Sequence, residues 1–284
     1  MKMYGFIGLG DQGAPIARRM IKAGLQVSLW ARRQATLTPF SDSGATLTEN
    51  LDDFAQAVDY VGVCVVDDLG VEEVCSRLIS GMRNGSTIVI HSTVSPVLCK
   101  TLADMALQVG VHLIDAPVSG GSPAAEAGKL TVMAGGSPQV FEAVRPVFDT
   151  FAGLVLHLGD VGAGQHAKLI NNSLLAANMG LANHALNAAN TLGLEREAFT
   201  RLINASSGRS FGFEVCARLP EPCAFQHGAS LLAKDVALLG DALGETVSYA
   251  AIEAAARSFL TLALDSKSAE QDEEFDPLAT RVQS

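Results

Sequence analysis

No stretch of this chain approaches the ~18 uninterrupted apolar residues that a membrane-spanning helix needs, so a span is not expected. Its five cysteines, Cys64, Cys75, Cys99, Cys216 and Cys223, form no C-x-x-C pair and keep no metal-ligand rhythm with the six histidines. That argues against a zinc module or a dithiol redox centre and for reduced thiols in a reducing compartment. Positive charge is also in deficit: 20 Lys and Arg stand against 30 Asp and Glu, a formal net charge of −10, which makes nucleic acid a poor partner. Internal repeats and low-complexity tracts are missing. The first apolar run starts at Met3, too early for a charged leader, an apolar segment and a cleavage site, so a cytoplasmic location is expected. The one dense acidic cluster, Glu270, Asp272, Glu273, Glu274 and Asp276, reads as a solvated tail rather than a metal site.

What is present is globular: 48% hydrophobic and 18% charged residues over 284 positions, enough for two domains. Short apolar runs recur at 3–7, 27–30, 60–66, 87–91, 111–115, 130–134 and 155–158, and they do not alternate with polar residues. Strands buried on both faces look like this. Helical candidates lie between them, at 14–23, 69–79, 95–109 and 139–151, so the expected fold is α/β, a doubly wound parallel sheet. After Gly164 the strands stop and a long helix is expected from about Gln165 to Leu192, followed by further helices. The glycine-rich stretch 159–165 divides a Rossmann-type domain, 1–164, from a helical domain, 165–284.

Gly8-Leu9-Gly10-Asp11-Gln12-Gly13 stands between the first strand and the first helix. In that setting Gly8 permits a tight turn, Gly10 lets backbone approach a pyrophosphate, and Gly13 lets helix and strand pack closely. The amides that open the helix face the anion. An NAD site would carry an acid about 20 residues further on, to hold the ribose hydroxyls. No Asp or Glu occurs from Gln12 to Ser41; Arg32 and Arg33 stand past the second strand instead. Guanidinium forks suit a 2′-phosphate, which favours NADP, NADPH over NADH; the plainer reading, surface arginines at a strand end, leaves the missing acid unexplained.

Other positions are open on the residues alone. Ser119-Gly120-Gly121 offers a hydroxyl and consecutive amides, suited to a carboxylate or merely to a tight turn. Lys168 and Asn172, spaced i, i+4, share one face of the long helix just after Gly162 and Gly164. Thr93, and with a weaker claim Val66 and Asp67, close strands at the carboxyl edge where open α/β sheets bind ligands, though Thr93 fits a helix cap equally well.

Four motifs in order make the chain resemble the β-hydroxyacid dehydrogenase (3-hydroxyisobutyrate dehydrogenase-like) family along nearly its whole length. They are Phe6 to Pro15, with Gln12 where the family usually has Met; Asp115-Ala116-Pro117-Val118-Ser119-Gly120-Gly121 with Ala127 to Gly136; Gly162 to Asn172; and Lys234-Asp235. The resemblance implies Lys168 as general acid/base, Ser119, Gly120, Gly121 and Asn172 at a substrate carboxylate, and Thr93 beside the nicotinamide ribose. It further implies Lys234 reaching the cofactor or substrate, with Asp235 its structural companion, and leaves Ser210, Phe211 and His227 in a segment that varies with substrate. The implied activity is NADP(H)-dependent hydride transfer between a small β-hydroxy acid and its semialdehyde or oxo-acid partner, in a homodimer or homotetramer. An imine reductase and a non-catalytic nucleotide-binding module share the scaffold, but both sit poorly with Lys168; 6-phosphogluconate dehydrogenase shares the lysine, but typically has His where Asn171 stands, and a longer helical domain.

Overall fold

The structure is a computed structural model and describes residues 2–244 and 247–265; the acidic cluster of 270–276 lies outside them. The chain parts into two compact units, Met1–Lys168 and Leu169–Ser284.

In the first unit β1 (Tyr4–Ile7) leads into α1 (Gly13–Lys22), and β2 (Val27–Trp30) into two short 3-10 turns and β3 (Thr46–Thr48). Then follow α2 (Leu51–Ala57), β4 (Tyr60–Val63), α3 (Asp68–Gly81), β5 (Thr87–Ile90), α4 (Pro96–Gln108) and β6 (His112–Asp115). These six strands form one sheet in the order β3-β2-β1-β4-β5-β6, parallel at every pairing. Neighbouring residues on a strand serve opposite cores: Phe6, Val89 and Ile114 pack on one face, and Ile7, Ile88, Ile90 and Leu113 on the other. Period-2 alternation with both faces covered explains the unbroken apolar runs in the sequence.

A second, three-stranded sheet accompanies it, in the order β7 (Val118–Ser119), β8 (Leu130–Ala134), β9 (Ala152–His157), with α5 (Gly121–Ala127) and α6 (Pro138–Phe148) in the connections. β7 runs antiparallel to β8. Runs 130–134 and 155–158 therefore belong to a separate sheet, not to the main one. Asp115 joins the two sheets by exchanging backbone hydrogen bonds with Gly135, 3.1 and 2.7 Å.

The strand expected to reach Val66 ends at Val63. Its neighbour β1 stops at Ile7, where Gly8 turns away at φ +92°, and the last ladder bond on that side runs from the Cys64 amide to the Ile7 carbonyl. β3 and the two-residue β7 have no counterpart among the expected runs: Thr46-Leu47-Thr48 is three residues long with one apolar side chain, which suffices at a sheet edge.

α7 (Ala163–Thr191) opens within the first unit and continues into the second. There it is joined by α8 (Arg196–Asn204), α9 (Phe211–Arg218), α10 (Gln226–Leu243) and α11 (Val247–Leu264). Leu169, Ala176, Met179, Ala182 and Leu186 line one stripe of α7 at helical spacing, and meet Phe213, Leu232, Val236, Leu239 and Phe259 in a core of their own. No described helix is long and apolar enough to cross a membrane.

Candidate active site

The strand order reverses between β1 and β4, and the glycine loop follows β1 at that switch point, on the carboxyl edge. Its three glycines answer three different constraints. A Cβ on Gly8 would lie 2.0 Å from the Cys64 carbonyl oxygen, and one on Gly13 1.9 Å from that of Gly8, so strand, turn and helix meet backbone to backbone. A Cβ on Gly10 would meet no protein atom within 4 Å. Nothing in the chain itself demands a glycine there, and open space in front of that backbone fits a pyrophosphate. Leu9 is buried, Asp11 is exposed, and the Gln12 side chain holds an amide nitrogen that is buried without a hydrogen-bond partner among the described residues.

Arg32 and Arg33 follow β2 and both are exposed. Arg32 is not idle: its Nη2 lies 2.8 Å from Glu73 Oε2 on α3, with 68% and 61% of the two side chains accessible. Val66 sits in a loop, 78% exposed, while Asp67 caps α3 by accepting the Gly70 amide at 2.8 Å.

Thr93 lies in the turn between β5 and α4, and the residues on either side of it are fastened by one side chain. The Gln165 carboxamide accepts from the Val94 amide at 3.1 Å and donates to the Ser92 carbonyl at 2.8 Å. The cap of α4 is Ser95, not Thr93. Asp115, at the end of β6 and fully buried, accepts from the Gly162 amide at 2.6 Å and the Gln165 amide at 2.7 Å. Burial pushes its carboxyl up to about 6, against the pull of those amides. A Cβ on Gly164 would lie 2.2 Å from the Met133 carbonyl oxygen, so the first turn of α7 is seated directly on backbone.

His91, at the end of β5, invites a general-base reading that its surroundings deny. Burial pushes it down to about 4, its ring packs among Phe6, Phe148 and Phe151, and Nδ1 meets the Ala116 carbonyl at 2.8 Å. It is a neutral core histidine.

Ser119 ends β7, and Gly120 and Gly121 follow at φ +127° and +70°, a turn that strongly favours glycine. Lys168 and Asn172 lie one turn apart on α7 and each is 9% exposed. In the second unit Asn172 Nδ2 donates to Asp235 Oδ2 at 2.6 Å, and Lys234 Nζ stands 2.9 Å from Asp235 Oδ1. Asp235 is thus the companion of Lys234 and also the group that orients Asn172, the part the sequence does not disclose. Ser210 accepts the Phe213 amide at 3.0 Å and is the cap of α9; Phe211 and His227 are exposed. Among the described residues no group of three or more His, Cys, Asp or Glu is placed to hold a metal.

A parallel sheet with a glycine loop at its switch point, followed by a helical unit reached through one long helix, defines an NAD(P)-binding oxidoreductase architecture. Residues 3–159 match the NAD binding domain of 6-phosphogluconate dehydrogenase, and residues 162–275 the NAD-binding domain of NADP-dependent 3-hydroxyisobutyrate dehydrogenase. The 2-(hydroxymethyl)glutarate dehydrogenase of Eubacterium barkeri is 38% identical over 74% of this chain and 71% of its own. The NAD-dependent L-serine dehydrogenase of Pseudomonas aeruginosa is 33% identical over 96% of this chain and 95% of its own. The solved Mycobacterium tuberculosis 3-hydroxyisobutyrate dehydrogenase with L-serine superposes with a TM-score of 0.83 at 26% identity, covering 93% of this chain and 94% of that one. The chain belongs to the 3-hydroxyisobutyrate dehydrogenase-like β-hydroxyacid dehydrogenase family.

Proposed function

We propose that the protein is an NADPH-preferring dehydrogenase acting between a small β-hydroxy acid and its semialdehyde or oxo-acid partner, with Lys168 as proton carrier. The observation that carries this reading is the pair of buried polar residues, Lys168 and Asn172, on consecutive turns of α7, with Asn172 held from behind by Asp235. The nicotinamide supplies or accepts the hydride when bound. In oxidation a neutral Lys168 takes the proton of the substrate hydroxyl; in reduction its ammonium returns one to the forming alkoxide. Asn172 orients the substrate, and the Ser119-Gly120-Gly121 turn offers its carboxylate a hydroxyl and amides.

Lys168→Ala leaves the glycine loop and the Ser119 turn intact, so kcat should fall about 10²- to 10⁴-fold with little change in cofactor affinity. Lys168→Arg should not rescue it, because a guanidinium keeps its proton throughout the working pH range. The wild-type rate of oxidation should rise with pH as the amine loses its proton, and that limb should vanish in the Ala variant. A folded Lys168→Ala enzyme with more than about a tenth of wild-type kcat would overturn the assignment.

The cofactor preference rests on Arg32, with Arg33 beside it, in the place of an acid. Arg32→Asp should weaken NADPH by roughly 10- to 150-fold, the worth of a charge-assisted hydrogen bond, and spare NADH. Equal kcat/KM for both cofactors in the wild type would sink this part and leave the hydride chemistry standing.

A further inference from the structure

We propose that Gln165, seated by Asp115, is a positioning residue that locks the Ser92-Thr93-Val94 turn to the first turn of α7 and so fixes where Lys168 stands relative to the carboxyl edge of the main sheet. The proposal rests on the reading of Lys168 as proton carrier. Every group it uses lies within the first unit.

Gln165 is fully buried, and both ends of its carboxamide are committed to backbone of a turn 71 to 73 residues away. The orientation is unambiguous in chemistry: turned over, the amide would set NH₂ against the Val94 N–H and oxygen against the Ser92 carbonyl. The same turn is tied to its neighbour, since Ser92 Oγ accepts the Val65 amide at 2.8 Å. From the other side, Asp115 holds the Gly162 and Gln165 amides, and the absence of a Cβ at Gly164 lets α7 sit directly on the Met133 carbonyl. Three residues on, Lys168 lies one turn further along and about 60° around the helix, with no freedom to shift along it unless these bonds break. Proton transfer needs heavy atoms within hydrogen-bond reach, and a misplacement of about 1 Å can cost on the order of 10²-fold in rate. An apolar residue of the same volume would fill the same space but leave the Val94 N–H and the Ser92 carbonyl without this partner, so the carboxamide serves the turn and not merely the core.

That contrast gives the experiment, on the full chain. Gln165→Met keeps the volume and removes both hydrogen bonds. Its kcat should fall about 10- to 100-fold. The pH limb of the oxidation rate should move; loss of core filling alone would lower the melting temperature and leave the limb in place. Gln165→Glu sets an acceptor against the Ser92 carbonyl at alkaline pH, where the buried carboxyl is ionised, and on acidification the protonated carboxyl can donate to it. Its kcat should recover on acidification relative to Gln165→Met, a comparison that cancels the titration of Asp115 because both variants carry it; the neighbouring Cys99 thiol, pushed up by burial, stays protonated throughout. A Gln165→Met enzyme with wild-type kcat and an unmoved limb overturns the proposal, and so does a Gln165→Glu enzyme with no acid recovery, the measurement that decides if the Met variant does not fold. Lys168→Ala measured alongside separates the two readings: if it is inactive while Gln165→Met is normal, only the clamp fails, and if it is active, the proton-carrier reading fails.

Discussion

Around the first turn of α7 the first unit holds its polar groups from the main chain, whereas the second unit holds its own from side chain to side chain. The side chains of Asp115 and Gln165 bond to four backbone atoms of two segments, and the glycine loop is shaped above all by close carbonyl approaches to Gly8 and Gly13. In the helical unit Asn172, Asp235 and Lys234 rest on one another. Backbone positions move only if an element moves, so the first arrangement tolerates change around it but not a change in its own atoms. The second depends on one buried carboxylate that serves two partners.

Removing that carboxylate should give the largest effect on stability. Asp235→Ala takes a carboxylate from beside the Lys234 ammonium and removes the acceptor of the Asn172 amide, in a place where Asp235 itself is 5% and Lys234 30% accessible. Breaking a buried pair from one side costs about 3–5 kcal/mol, and the partial access of Lys234 to water puts this pair at about 3. Asp235→Asn keeps an acceptor and should cost less. Denaturant titration at neutral pH checks both, and a loss below about 1 kcal/mol for Asp235→Ala would mean that the triad is solvated and the contrast between the units is false.

Within the glycine loop the same logic separates two residues that look alike in sequence. Gly13→Ala drives a Cβ into the Gly8 carbonyl, at 1.9 Å before relaxation, and should destabilise the fold by about 1–3 kcal/mol. Gly10→Ala meets no protein atom and should leave the melting temperature unchanged while weakening both NADPH and NADH, since any clash would come from the ligand. A Gly10→Ala variant that binds dinucleotide normally would remove the case for pyrophosphate at that point of the loop.

The sheet and the helices are legible in the sequence because each is specified locally, by apolar runs, by glycines at turns and by helical spacing. The same holds for the glycine loop and for the i, i+4 placement of Lys168 and Asn172. What is not legible is pairing at a distance. Asp235 lies 63 residues from Asn172, Asp115 lies 50 from Gln165, and Glu73 lies 41 from Arg32; no local pattern distinguishes these partners from other acids. Short edges fail for a related reason: two-residue β7 and three-residue β3 have too few side chains to declare a period, and exist because a neighbour is there to pair with. Val66 shows the converse, a run of apolar residues that outlasts its partner strand.

The smallest effect concerns Glu73. It is the one anion seen on Arg32 among the described residues, and a 2′-phosphate would have to share or displace it. Both side chains are largely in water, where such pairs contribute about 0.2–1 kcal/mol, so Glu73 competes weakly. Glu73→Gln should therefore raise NADPH affinity by no more than about fivefold and leave NADH unchanged, with no loss of stability beyond that range. The gain should shrink as salt is added, since a Debye length of about 8 Å at physiological ionic strength already screens exposed charges, and higher salt screens them more. Titration of both cofactors at two ionic strengths reads this directly. If the substitution instead weakens NADPH, Glu73 aims Arg32 at the phosphate rather than competing with it. The arginine would then be held by a side chain, in the manner of the helical unit, and the division between the two modes of support would run through the cofactor site itself.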